Sequence, residues 1–192
     1  MGRGRLEAFS DGVLAIIITI MVLELKSPEG EGVVALLALA PIFLSYVLSF
    51  LYIGIYWNNH HHLLQACRRV SSGVLWANLH LLFWLSLVPF ATRWIGENHY
   101  AALPTAVYGL NLLLAAVAYW ILQQAIISNE GKNSLLRKAI GRDLKGRLSL
   151  LLYALAVLAA FAAPWLAQAV YVLVALIWII PDRRIEQALL EE

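Results

Sequence analysis

Charged residues are scarce in this sequence, and this scarcity excludes a soluble fold. Of the 192 residues, 14% are charged and 61% are hydrophobic, and the mean hydropathy is +0.75. A soluble domain of this length normally has about 25% charged and about 45–50% apolar residues. Too little polar surface is available to cover the molecule, so the excess apolar surface must face lipid. The composition predicts a polytopic membrane protein.

Cysteine is almost absent, and so are the motifs of common soluble sites. The single cysteine, Cys67, cannot form an intrachain disulfide. The sequence contains no Walker A loop, glycine-rich nucleotide fingerprint, HExxH motif or GxSxG motif. A net charge of +2, spread over short loops, is not typical of a protein that binds nucleic acid. We therefore expect no enzymatic activity, no cofactor, no resident metal and no nucleic-acid partner.

Six apolar segments are bounded by turn or charge signals. They cover residues 8–25, 33–57, 73–95, 101–127, 148–163 and 165–180. The last two have about 16 residues each, near the lower limit for crossing a hydrocarbon core of about 30 Å, and could form a tight helical hairpin instead. We predict an all-α membrane protein in which residues 1–192 form one domain of six transmembrane helices. The second half does not copy the pattern of the first span, so we expect a single repeat.

The basic residues are distributed unequally between the two sides of the predicted spans. Twelve lie on the side of the N-terminus, and two lie on the opposite side. The twelve are Arg3, Arg5, Arg68, Arg69, Lys132, Arg137, Lys138, Arg142, Lys145, Arg147, Arg183 and Arg184. The positive-inside rule then predicts a multi-pass protein of the cell membrane with both termini in the cytoplasm. The stretch from Lys132 to Arg147 could lie as an amphipathic helix on anionic lipid, although a solvated loop is the simpler interpretation.

The first span is unusual because it holds polar residues, which are costly in a membrane and indicate function. At 100° per residue, one stripe of this helix lies within about 60° of a single line. It is formed by Phe9, Gly12, Ile16, Thr19, Ile20 and Leu23. Asp11 points about 140° away from this line, and Ser10 about 120° in the other direction. On these residues alone, the stripe could serve helix packing or a pore, and Asp11 could be interfacial or buried.

The same residues form a recognisable motif, Arg5-x-x-x-Phe9-Ser10-Asp11-Gly12-x-x-Ala15-Ile16-x-x-Thr19. Three weaker motifs follow in order: Trp57-Asn58-Asn59-His60-His61, Trp76-Ala77-Asn78-Leu79-His80-Leu81-Leu82 and Leu87-Val88-Pro89-Phe90-Ala91-Thr92. Together they resemble the prokaryotic branch of the lysosomal potassium-channel family (transmembrane protein 175). The resemblance covers about the first half of the chain, and the last three spans agree only in length and hydropathy.

This resemblance implies a homotetrameric, potassium-permeable cation channel whose central pore is formed by the first helix of each subunit. It also implies a hydrophobic gate of side chains instead of a carbonyl filter, and the sequence indeed lacks the Thr-Val-Gly-Tyr-Gly motif. Ile16 would form the narrowest ring, with Ile20 and Leu23 one and two turns outward. Thr19 would supply a hydroxyl layer. No cofactor is implied, and K⁺ is the permeant ion.

The resemblance further implies a polar network that orients the first helix. Its members are expected to be Arg5, Ser10, Asp11, Trp76 and His80. A partner from this network would keep Asp11 from being an unpaired charge in the membrane. An ordinary hydrogen-bonded core position is an equal alternative for His80.

Other functions stay open at this point. A proton leak, with potassium secondary, would have to use Asp11, Glu24 and the histidines. A secondary transporter would need a polar midplane site, for which the mid-span candidates are Pro41, Pro89 and Asn111. A small membrane enzyme would need an acid/base cluster with a nucleophile, and no nucleophile accompanies the candidate acids and bases.

The run His60-His61-His62 invites a metal-binding interpretation. Adjacent residues on a helix diverge by about 100°, so these three rings cannot all reach one ion. We therefore expect a packing role or a pH-sensitive role for them.

Overall fold

The structure is a computed structural model that describes residues 2–131, 134, 136–137, 141 and 143–180. All regular structure in this part of the chain is helical, which confirms the predicted all-α class. The helices are α1 (Arg3–Leu23), α2 (Val33–Ala38), α3 (Ala40–Gln65), α4 (Ser72–Ser86), α5 (Val88–Glu97), α6 (Ala102–Glu130), α7 (Leu144–Ala159) and α8 (Pro164–Ile179).

Four helical stretches are long and apolar enough to cross a membrane, namely Arg3–Leu23, Ala40–Gln65, Ser72–Glu97 and Ala102–Glu130. They overlap the first four predicted spans. Helix α8 is apolar but has only 16 residues, and α7 is equally short. The membrane-spanning character of the first four segments is therefore supported, and the count of six stays a prediction.

Two prolines explain where the helices are interrupted. Helices α2 and α3 meet at Leu39, and α4 and α5 meet at Leu87. Pro41 and Pro89 each lie in the first turn of the following helix, where a missing backbone N–H breaks no intrahelical hydrogen bond. The second apolar segment also extends further than its hydropathy indicates, to Gln65 rather than to residue 57.

Helix α6 lies centrally and contacts α4, α5, α7 and α8. Gly109 allows α6 to approach α8 closely, because a Cβ at this position would overlap the side chain of Tyr171. Helix α1 packs at the other side of the subunit against α3, α4 and α5. The subunit thus anchors α1 along one side only.

Part of the predicted basic surface lies outside the described residues. This applies to Lys132, Lys138, Arg142, Arg183 and Arg184, and with them to the proposed amphipathic helix. Within the described part, Lys145 and Arg147 lie in the first turn of α7, close to its N-cap Asp143.

Candidate pore-lining helix

Helix α1 has one buried side and one exposed side. The buried side chains recur every three or four residues and are Leu6, Ser10, Leu14, Ile17 and Met21. The exposed side holds the predicted stripe, in which Ile16 is 59% and Leu23 is 81% exposed, together with Ile20 and Phe9. Nothing within the described subunit covers this apolar stripe. It must therefore face lipid or another copy of the chain.

Thr19 is the only polar residue of the exposed stripe. Its hydroxyl donates to the carbonyl oxygen of Ile16 at 2.8 Å, so its proton is held within the helix. The lone pairs of the hydroxyl oxygen remain free to accept or to coordinate. Thr19 can thus present an oxygen ligand among the aliphatic side chains of the exposed stripe.

The buried side of α1 is fixed by a chain of hydrogen bonds that crosses three helices. Ser10 Oγ donates to the carbonyl oxygen of Leu6 at 2.9 Å and accepts from Asn78 Nδ2 of α4 at 3.0 Å. Asn78 Oδ1 lies 2.7 Å from His60 Nε2 of α3. Because the amide oxygen only accepts, the His60 ring donates through Nε2, and its buried Nδ1 has no partner among the described residues.

Two carboxylates attach α1 to α3. Trp57 Nε1 donates to Asp11 Oδ1 at 3.1 Å. Glu7 Oε1 lies 2.6 Å from His61 Nδ1, one turn closer to the start of α1. These contacts are partly exposed, so each adds little free energy, but together they oppose rotation of α1 about its axis.

The other end of α1 is attached to α5. Arg93 Nη1 lies 2.5 Å from Glu24 Oε2, and Arg93 Nε lies 3.0 Å from Glu97 Oε1. Lys26 adds a longer contact of 3.9 Å to the same Glu97 oxygen. Both ends of α1 are therefore held by side chains from neighbouring helices.

The predicted orienting residues are only partly brought together. Ser10 and Asp11 have partners on neighbouring helices, and Arg5 lies exposed in the first turns of α1. His80 Nε2 instead accepts from Trp84 Nε1 at 2.9 Å within the same helix, and Trp76 is 71% exposed.

The side chains that donate to Ser10 and Asp11 are Asn78 and Trp57, neither of which the sequence assigned to the orienting network, although both lie in the quoted motifs. Asn78 precedes His80 by two residues, which places the two side chains about 200° apart on α4. The spacing of apolar residues could have indicated Asn78, because it lies on the same face of α4 as Ala77, Leu81 and Leu82, and all four are buried.

The first two rings of the histidine run contact separate partners. His60 and His61 engage Asn78 and Glu7, respectively, on different sides of α3. Among the described residues, no group of three or more histidine, cysteine, aspartate or glutamate side chains could hold a metal ion.

Comparison with known proteins identifies the family. Residues 5–89 match the model of the endosomal/lysosomal potassium channel TMEM175. A potassium channel of Chryseobacterium sp. is 57% identical over 191 residues, with 100% of both chains covered. The human endosomal/lysosomal proton channel TMEM175 is 33% identical over 103 residues, which cover 47% of this chain and 20% of the human protein.

A solved structure agrees over almost the whole subunit. It is the crystal structure of a lysosomal potassium-selective channel TMEM175 homolog from Chamaesiphon minutus, with a TM-score of 0.83 and 30% sequence identity. The match covers 94% of this chain and 97% of the other. This chain therefore belongs to the TMEM175 family of channels.

Proposed function

We propose that four copies of this chain form a passive, potassium-permeable channel in the cell membrane, with α1 of each copy beside a central axis. The observation that carries the proposal is the uncovered stripe of α1, which is apolar except for Thr19. One stripe on one helix cannot enclose an ion path, whereas symmetric copies around an axis can. The bacterial relatives are named potassium channels, and we therefore propose K⁺ as the permeant ion.

The constriction is proposed to consist of side chains. Rings of Ile16, Ile20 and Leu23 around the axis would exclude water when narrow and so would block ions. Spreading or rotating the four helices would admit water and open the path. The Thr19 oxygens would then replace part of the hydration shell of K⁺. Because aliphatic rings bind no cation, we expect only modest selectivity for potassium over sodium.

The polar side of α1 is proposed to hold the stripe towards the axis. Ser10 and Asp11 carry this role through Asn78 and Trp57, the donors that contact them. Arg5 would contribute near the membrane surface, a role that its exposed position near the start of α1 supports. The orientation, with both termini in the cytoplasm, is supported by the count of twelve basic residues against two.

A potassium flux assay in liposomes, with the Ile16→Asn variant, tests the gate. A polar ring at Ile16 removes the barrier to wetting, so we expect faster potassium flux than in the unmodified channel. Val22→Asn is the matched control, because Val22 is exposed on the same helix but lies about 120° from Ile16. Unchanged flux in Ile16→Asn, or an equal increase in both variants, would place the gate elsewhere. The mass of the purified assembly tests the count of four.

Proton conduction is the second candidate, because Glu7, His61 and His60 place ionisable side chains directly beside α1. The human relative is named a proton channel, although it covers less than half of this chain. The same liposomes under a proton gradient distinguish the two ions. Proton flux that exceeds potassium flux and falls in His61→Gln would favour the proton leak. Saturable potassium flux would contradict both and indicate a transporter.

A further inference from the structure

A second feature of the subunit lies away from the α1 stripe. Helices α3, α6, α7 and α8 line a partly open cavity of about 50 Å³. Aromatic side chains are the most frequent type in its lining, which also includes the polar residues Asn59, Gln123 and Ser149. The cavity is defined here by Tyr56, Tyr119, Trp120, Trp178 and Asp143. We call it the aromatic cavity. None of the residues proposed to line the pore contributes to it.

Neighbouring aromatic rings of the cavity lie at steep angles to one another. Tyr56 and Tyr119 pack edge to face, with an interplanar angle of 66° and centroids 6.1 Å apart. Tyr119 and Trp178 do the same at 73° and 6.4 Å. The polar atoms of two rings are already engaged, since Tyr119 Oη donates to the carbonyl oxygen of Asn59 and Trp178 Nε1 donates to Ser149 Oγ. The π systems are thus the main chemistry that the walls offer.

Among the described residues that line the cavity, one carries a formal charge. It is the carboxylate of Asp143, the N-cap of α7, whose Oδ1 accepts from the backbone N–H of Gly146 at 3.0 Å. Its Oδ2 has one long contact of 3.4 Å within the described part of the chain, with Gln123 Nε2, and can accept further hydrogen bonds. No basic side chain is among the described residues that line the space.

One ring of the cavity already accepts a cation. Lys145 Nζ lies 4.4 Å from the centroid of the Trp178 ring, within the range of a cation–π interaction. Lys145 is not among the described residues that line the cavity.

We propose that the aromatic cavity binds a small organic ammonium group, such as a quaternary trimethylammonium head. Aromatic faces attract a positive charge that is weakly hydrated, and the carboxylate of Asp143 neutralises it. A neutral aromatic ligand would leave this carboxylate uncompensated. An inorganic cation would lose more hydration than these apolar walls replace. The proposal is independent of the ion that the pore conducts.

The test measures thermal unfolding of the purified, assembled protein in the presence of choline. Choline chloride is compared with sodium chloride at equal ionic strength and with 3,3-dimethyl-1-butanol, the neutral analogue of choline. Ligand that binds only the folded state raises the melting temperature. We expect choline to raise it in a saturable manner, and the neutral alcohol to leave it unchanged. An equal increase with both compounds would overturn the proposal, because the charge would then not matter.

Asp143→Asn separates binding from folding. An asparagine retains the acceptor for Gly146 N–H and a partner for Gln123, but it removes the charge. We expect choline to bind this variant roughly tenfold more weakly. Glu29→Gln, which removes an exposed carboxylate in a distant loop, is the matched control and should bind as the unmodified protein does. Equal affinity in both variants would contradict the site.

Three further measurements support the interpretation of this result. If Asp143→Asn assembles poorly, Trp120→Leu replaces it, because Trp120 is a half-exposed wall of the cavity and its loss should also weaken choline binding. Ile16→Asn should leave choline binding unchanged, and a loss there would move the site into the pore. A short-chain phosphatidylcholine identifies the source: stabilisation by it as well as by choline indicates a lipid headgroup, and stabilisation by choline alone indicates a free cation.

Discussion

Asn78 Nδ2 donates to Ser10 Oγ at 3.0 Å, in a part of the subunit where both residues are fully buried. Ser10 Oγ also donates to the carbonyl oxygen of Leu6 in its own helix, and Asn78 Oδ1 also contacts His60. Each of the two side chains therefore has two hydrogen-bonding partners. A rotation of α1 by one residue, about 100°, would break the hydrogen bond between Ser10 and Asn78. This contact therefore fixes which side of α1 is exposed.

Asn78→Ala should destabilise the assembled protein by about 1–3 kcal/mol, because it removes the donor to Ser10 Oγ and leaves the buried His60 Nε2 without its acceptor. Asn98→Ala is the control, since Asn98 is exposed and bonds only within its own turn. Its effect should stay within about 0.5 kcal/mol. Denaturation of both variants in the same detergent provides the measurement. Equal stability would show that the buried chain contributes nothing.

The sequence predicted the features that depend on local periodicity. The helical class and the exposed stripe of α1 follow from hydrophobic spacing at 3.6 residues per turn. The four long spans follow from the length of the apolar runs. These features need no knowledge of which helices become neighbours.

The partners of α1 could not be predicted in this way, because they depend on how α3 and α4 are rotated against it. His80 and Asn78 are two residues apart, and only the packing of α4 decides which of them faces Ser10. The end of α3 was missed for a related reason. Its last turns are polar, but Asn59 and His60 are buried within the subunit, and the helix continues there despite its low hydropathy.

Asp11→Ala should reduce assembly more than it changes ion selectivity, because Asp11 contacts Trp57 of α3 and points away from the exposed stripe. Asp11→Asn retains an oxygen acceptor for the indole N–H and should assemble better than the alanine variant. The yield of intact oligomer and the ratio of potassium to sodium flux are measured for both. An oligomer that forms normally but has an altered ratio would place Asp11 in the ion path.

Glu24→Gln should have a small effect on stability, because the side chains of Glu24 and Arg93 are both more than a third exposed to solvent. High salt should remove this difference between variant and unmodified protein, since ions screen exposed pairs. Glu97→Gln, which removes the other carboxylate near Arg93, should behave alike. A loss that persists at high salt would show that the pair is buried in the assembly.

Gly109→Ala should strongly destabilise the protein, because the added Cβ would overlap the Tyr171 side chain and force α6 and α8 apart. Overpacking of this kind costs about 1–3 kcal/mol. Gly54→Ala is the matched change in α3, where no heavy atom lies within 4 Å of the new Cβ. It should be neutral or stabilising by up to about 1 kcal/mol, since alanine favours a helix over glycine. Equal melting temperatures for the two variants would contradict the close approach at Gly109.

Cys67 should react slowly with maleimide in the folded protein. Burial, and next the negative charge of Glu130, raise the pKa of its thiol, and Sγ donates to the carbonyl oxygen of Arg69. The reactive thiolate is therefore scarce at neutral pH, and labelling should accelerate as the pH rises or when the chain is unfolded. Because the folded state holds this proton more tightly than the unfolded state, the thiol's contribution to stability declines at alkaline pH, as the pH rises above the ordinary thiol pKa. Glu29→Cys in a Cys67→Ala background supplies an exposed thiol for comparison. If native Cys67 is labelled as fast as that thiol at neutral pH, the junction between α3 and α4 opens to solvent.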